Sequence, residues 1–141
     1  MSSFAQVHEV LLIDDDGVDR QNIRRILAPV RNINITEAHS GEHAMQILEN
    51  LEPALVITDI FMPDVDGLEF LTQLATKGIT FPVIAVTSLN DSKYVDFLKV
   101  ARNFGAVYSM EKADMARNLS RVVHDILSGR LENGRQYHPY C

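Results

Sequence analysis

The stretch LVITDIFMPDVDGLEFL (residues 55–71) decides the fold. It begins within an apolar run, Ala54, Leu55, Val56 and Ile57, that shows no polar alternation. Such a run reads as a strand buried on both faces. Thr58 and Asp59 end it, Pro63 breaks the segment behind it, and Leu68, Leu71 and Leu74 then recur at helical spacing. Strand, loop and amphipathic helix in that order form half of a parallel βαβ unit, because a strand covered on both faces needs helices to cover it.

The same alternation extends outward in both directions. Residues 10–13, 33–35, 83–86 and 106–108 read as further strands. Helical stripes lie between and after them: Ile23, Ile26, Leu27 and Val30; Ala44, Ile47, Leu48 and Leu51; a weaker Val95, Leu98 and Ala101; and Leu119, Val122, Val123 and Ile126. Pro29, Gly41, Pro82, Gly105 and Gly129 punctuate the boundaries, and Ser92 is placed as a helix N-cap. The order βαβαβαβαβα predicts a doubly wound α/β domain, (βα)5, with a five-stranded parallel sheet and right-handed crossovers. The expected organisation is an N-terminal extension at residues 1–7, one domain at 8–128 and a tail at 129–141.

Composition fits one such domain. The 141 residues are 46% hydrophobic and 23% charged, enough to bury a core. Thirteen Lys and Arg against nineteen Asp and Glu give a net charge of −6, which argues against direct nucleic-acid binding through phosphate contacts. No apolar run is long enough to enter a membrane as a span. No basic region followed by an apolar one opens the chain, and the one Cys, Cys141, has no internal partner. These features point to the cytoplasm. His39 and His43 are separated by Gly41 and a helix start, so no ligand pair is expected there. Arg20, Arg24, Arg25 and Arg31 read as a solvated helix face, with a docking face as the alternative.

In a doubly wound sheet, ligands bind beyond the carboxyl ends of the strands. There the sequence places Asp14, Asp15 and Asp16, then Asp59, then Thr87 and Ser88, then Glu111 and Lys112. Each alone has a bland reading: a turn former, a helix cap, a strand threonine, a surface lysine. Together they do not. Carboxylates held ~4 Å apart at an effective dielectric near 20 repel by about 4 kcal/mol per pair, and a hard cation relieves this. Mg2+ suits a few carboxylates and keeps waters for an incoming phosphate. With a lysine and a threonine hydroxyl alongside, the group reads as a phosphoryl-transfer site.

These residues also carry a resemblance. LLIDDDGVDR (residues 11–20), EAHSGEHAMQIL (37–48), LVITDIFMPDVDGLEFL (55–71), PVIAVTS (82–88) and GAVYSMEK (105–112) resemble the receiver domain of bacterial response regulators, the CheY-like family. The most specific element is D-x-x-M-P-x-x-D-G, here Asp59, Met62, Pro63, Asp66 and Gly67. The resemblance implies a flavodoxin-like sheet of strand order 2-1-3-4-5. It implies that Asp59 is the phosphoacceptor and that Mg2+ is held by Asp14, Asp15, Asp59 and the backbone carbonyl of Phe61. Thr87 matches the hydroxyl that meets the phosphoryl group, and Lys112 the lysine that pairs with the acidic site. The implied partners are a histidine kinase or histidine phosphotransfer protein as donor and a downstream protein target. The implied role is that of a stand-alone, non-enzymatic phosphoacceptor of a two-component system.

The sequence departs from that pattern in three places. Ala113 follows Lys112 where the family usually has a proline with a cis bond, so another loop path is expected. Ser109 stands at the usual aromatic position, and Tyr108 beside it should face the other side of the sheet. The stretch between Thr87 and Gly105 is longer than usual. Two other readings compete. A phosphorylation-independent interaction module would keep the fold and leave the acidic cluster without a use. A haloacid-dehalogenase-like phosphatase would use Asp14 as nucleophile and Asp16 as acid/base, from the string Asp14-Asp15-Asp16-Gly17-Val18. It lacks the acidic pair expected beyond the lysine and leaves the Met62-Pro63 string unexplained.

Overall fold

The computed structural model describes residues 6–60, 67–88 and 108–130. Five strands form one parallel sheet in the order β2-β1-β3-β4-β5. They are β1 (His8–Ile13), β2 (Ile33–Ala38), β3 (Leu55–Asp59), β4 (Val83–Thr87) and β5 (Tyr108–Glu111). The helices are α1 (Gly17–Leu27), α2 (Gly41–Leu48), α3 (Gly67–Thr76) and α4 (Met115–Leu127), the last entered through a 3-10 turn at Lys112–Asp114. Here α4 is the Leu119 stripe of the sequence. The Val95 stripe, Ser92, Gly105, residues 106 and 107 of the fifth predicted strand, Phe61, the Met62–Asp66 part of the motif and the tail beyond residue 130 lie outside the described residues.

Two cores sandwich the sheet, and strand alternation assigns each buried apolar strand residue to one of them. Val10, Leu12, Leu55, Ile57, Ile84, Val86, Tyr108 and Met110 face α1 and α4, where they meet Ile23, Leu27, Leu119, Val122, Val123 and Ile126. Leu11, Ile13, Val56, Val83 and Ala85 face α2 and α3, where they meet Ala44, Phe70, Leu71 and Leu74. Every residue of β3 and β4 is buried, which is why those segments read as unbroken apolar runs. Truncating a fully buried centre such as Ile57 costs about 2–5 kcal/mol.

Helix boundaries follow local chemistry. Asp16 caps α1, its carboxylate accepting from the Val18 N–H at 2.8 Å. Ser40 caps α2, its hydroxyl accepting from the His43 N–H at 3.0 Å. Gly78 (φ 71°) and Gly129 (φ 80°) close α3 and α4 in left-handed turns. In both, paired bonds cover the last carbonyls: Gly78 N–H to Ala75 and Ile79 N–H to Leu74, then Gly129 N–H to Ile126 and Arg130 N–H to Asp125.

Several sequence expectations shift. The strands extend beyond their apolar runs, β2 reaching Ala38 and β5 reaching Glu111, because ladder bonds continue through polar residues that periodicity does not register. The second stripe predicted helix through Leu51, but α2 ends at Leu48, with Glu49 and Asn50 turning back onto Gln46 and Ile47 ahead of Pro53. His39 and His43, expected to be no ligand pair, stack on one another, with ring centroids 4.2 Å apart and the His39 N–H donating to His43 Nδ1. No described helix is long and apolar enough to cross a membrane.

Candidate functional site

The sheet register assembles the site. Ile13 pairs with Thr58, so the next residues, Asp14 and Asp59, lie side by side. Thr87 pairs with Glu111, and Lys112 follows immediately. Asp14, Asp59 and Lys112 each continue the strand face that carries the α1/α4 core. Their side chains therefore emerge on one side of the sheet edge, although they are spread over nearly the whole chain.

The Lys112 ammonium is the centre of the cluster. Its Nζ donates to Asp14 Oδ2 at 2.7 Å, Asp19 Oδ2 at 2.7 Å and Asp59 Oδ2 at 3.1 Å. Three carboxylates for three N–H donors satisfy the group completely. Burial alone would lower the Lys112 pKa, but bonds to Asp14 and Asp19 and the charges of Asp59 and Asp14 hold it well above its usual value. Asp14 moves up as well: burial outweighs the bonds from Lys112 and the Asp16 N–H, and the Asp19 charge adds to the rise. The lysine stays charged throughout the neutral range, while Asp14 pays for being almost sealed from water, its side chain 1% exposed.

One oxygen from each of Asp14, Asp15 and Asp59 lies within 4.8 Å of the others. Asp14 and Asp59 are buried and Asp15 is exposed. Such a set of hard oxygens, opening to solvent through Asp15, fits a small divalent cation that retains part of its water shell. It is the one three-residue ligand group among the described residues.

Two residues differ from the expectation. Asp16, which the sequence groups with the acidic pocket, has an exposed side chain that caps α1 and is not in the ligand group. Asp19, which no sequence motif marks, takes one of the three lysine bonds from the first turn of α1. Of the arginines read as a solvated or docking face, Arg24, Arg25 and Arg31 are exposed, and Arg20 and Arg24 in addition pair with Glu37 of β2, Arg20 at 2.7 Å. Arg20 also donates from Nη1 to the Asp14 backbone carbonyl at 2.7 Å, bracing the acidic loop against α1 and β2. The Arg24 and Arg20 bonds hold the Glu37 carboxyl below the usual range.

Thr87 is fully buried at the end of β4, on the face of Val83 and Ala85. Ser109 shares that face through its pairing with Ala85. Tyr108 is sunk in the opposite core, 1% exposed, so it lies across the sheet from Thr87. Lys112 and Ala113 pass straight into the 3-10 turn, with no cis peptide among the described residues.

Comparisons with known proteins agree with this architecture. A family model described as the response regulator receiver domain matches residues 10–124. The chain is 34% identical over 122 residues to protein-glutamate methylesterase/protein-glutamine glutaminase 3 of Rhodospirillum rubrum, covering 84% of this chain and 32% of that protein. It is 29% identical to the nitrate/nitrite response regulator protein NarL of Escherichia coli, covering 86% of this chain and 56% of that one. It thus spans roughly a third to just over half of these curated relatives, one of which is named as an enzyme. Among solved structures, the receiver domain of Francisella response regulator 1452 superposes with a TM-score of 0.76 at 23% identity, covering 87% of this chain and 98% of that one. The response regulator domain of Thermotoga maritima CheB gives 0.72 at 24% identity, covering 87% and 96%. At that identity these two likenesses bear on the fold.

Proposed function

The chain belongs to the response regulator receiver domain family of two-component systems, and on that premise we propose that Asp59 is its phosphoacceptor. The donor is a phosphohistidine on a histidine kinase or histidine phosphotransfer protein. An Asp59 carboxylate oxygen attacks phosphorus, the P–N bond breaks, and the departing imidazole takes up a proton. The product is an acyl phosphate on Asp59. One observation carries this reading: Asp59 sits at the end of a buried strand, bonded to Lys112 and grouped with Asp14 and Asp15.

Asp14, Asp15 and Asp59 would hold Mg2+, with the Phe61 carbonyl as the further ligand that the family resemblance implies. When bound, Mg2+ supplies positive charge that offsets carboxylate repulsion and draws in phosphoryl oxygens. Lys112 moves its Asp59 bond, the longest of its three, onto a phosphoryl oxygen while remaining anchored by Asp14. The Thr87 hydroxyl meets the same phosphoryl group. Beyond its own phosphorylation and dephosphorylation the domain has no enzymatic activity. It works in the cytoplasm by changing which protein target it binds, and it makes no direct contact with nucleic acid.

The test is incubation with acetyl phosphate and Mg2+ followed by intact mass measurement. The wild-type chain should gain one phosphate, and Asp59→Asn none. A phosphate that persists in Asp59→Asn but disappears in Asp14→Asn would transfer the nucleophile to Asp14, as the phosphatase reading requires.

A further inference from the structure

Asp19 is the one carboxylate on Lys112 that belongs neither to a strand end nor to the ligand group. It sits in the first turn of α1, the helix that packs on the strand face from which Asp14, Asp59 and Lys112 emerge. Its side chain is 34% exposed, against 1% for Asp14 and 8% for Asp59. Through Nζ, with bonds of 2.7 and 3.1 Å, Asp19 Oδ2 lies no more than about 6 Å from Asp59 Oδ2. Its charge reaches the pocket, where it helps to raise Asp14.

We propose that Asp19 is a positioning residue that works through Lys112. It is a built-in counter-ion that offsets the lysine charge, strengthens divalent-cation binding and slows entry of an anionic phosphoryl donor. The inference rests on the phosphoacceptor reading of Asp59. Asp14, Asp15, Asp19 and Asp59 carry four negative charges and Lys112 one positive, a balance of −3 for these five groups, with Arg20 at the Asp14 carbonyl matched by its own partner Glu37. A bound divalent cation leaves −1, so the pocket still repels a phosphoryl dianion. Without the Asp19 charge the balance with the cation bound is zero. The apo pocket then attracts a cation less, and the cation-loaded pocket repels the donor less.

The experiment compares the wild-type chain with Asp19→Asn, which keeps shape and an acceptor oxygen, and Asp19→Glu, which keeps charge. Mg2+ affinity is read by calorimetric titration, and phosphate uptake from acetyl phosphate by intact mass at saturating Mg2+. Asp19→Asn should bind Mg2+ roughly three- to tenfold more weakly, from the Coulomb energy of one charge at that range screened nearly as in bulk water, since Asp19 is one-third exposed. It should take up phosphate several-fold faster. Asp19→Glu should stay near wild type, and both differences should shrink in about 0.5 M KCl, which a purely structural role would not cause. Unchanged Mg2+ affinity in Asp19→Asn, or slower phosphate uptake, overturns the proposal. Should the wild-type chain take up no phosphate while Asp19→Asn still loses Mg2+ affinity, the phosphoacceptor reading falls, and with it the effect of Asp19 on the donor, while its part in cation binding stands.

Discussion

Replacing Lys112 by methionine removes one charge, keeps most of the side-chain length, and leaves the carboxylate cluster to itself. In the wild-type chain Lys112 is 10% exposed and holds Asp14 and Asp59, which are 1% and 8% exposed. Asp19, at 34%, can rehydrate and so adds little to the loss. Asp14 cannot and Asp59 can only in part, and breaking a buried ion pair by removing one partner costs about 3–5 kcal/mol. We expect a loss near the lower end, about 3 kcal/mol at pH 7 without divalent cations, since Asp59 lies at a pocket open to solvent through Asp15. For a domain of this size that is a fall in Tm of roughly 10 °C. The pH dependence has a definite sign. Lys112 is raised, so its contribution is complete at neutral pH and fades only in strong alkali. Asp14 is raised too, and losing Lys112 raises it further. A carboxyl with a raised native pKa binds protons in the folded state first, so the variant recovers stability as pH falls from 7 into the carboxylate range. Urea unfolding of both proteins from pH 7 down to pH 5, with and without Mg2+, tests this. A variant within about 0.5 kcal/mol of wild type at pH 7 without Mg2+ would refute the claim that Lys112 neutralises the buried carboxylates.

Two further outcomes follow from side chains around the pocket. Glu37→Gln should destabilise by about 0.5–1 kcal/mol at pH 7, given how exposed its ion pairs are. Because Arg24 and Arg20 depress the Glu37 pKa, that contribution is present above the ordinary carboxylate value and is lost as pH falls through the native one. Denaturation midpoints that differ equally at pH 7 and pH 3 would contradict it. Asp16→Ala should cost about 1 kcal/mol through the lost N-cap and leave phosphate uptake unchanged. A drop in phosphate uptake at saturating Mg2+ would return Asp16 to the pocket.

The sheet was legible because buried strands leave unbroken apolar runs, and β3 and β4 are buried at every residue. Edges and ends were less so. β2 is mostly half-exposed, and its ladder continues through Thr36 and Glu37, where no hydrophobic signal marks it. Helix ends shifted where the cap is made by backbone bonds rather than by a residue of distinctive type, as after Leu48. Of the site residues, Asp14, Asp15, Asp59 and Lys112 could be named from the chain alone, because doubly wound topology brings strand ends together wherever they lie in sequence.

Asp16 and Asp19 show where that rule stops. Both follow the first strand, and a sequence reader sees only three acids in a row and a fourth three residues later. What separates them is the start of α1. The Asp16 carboxylate, exposed, turns to the Val18 N–H and serves the helix end instead of the ligand group. Three residues on, nearly one helical turn later, Asp19 lies on the edge of the helix that faces Lys112. The signal was present in two pieces: an N-cap residue at the start of an amphipathic stripe, and strand parity placing Asp14, Asp59 and Lys112 on the α1 side of the sheet. Neither alone selects Asp19. Joined, they place the first turn of α1 over the lysine, and an acid three positions after the cap is the residue that meets it.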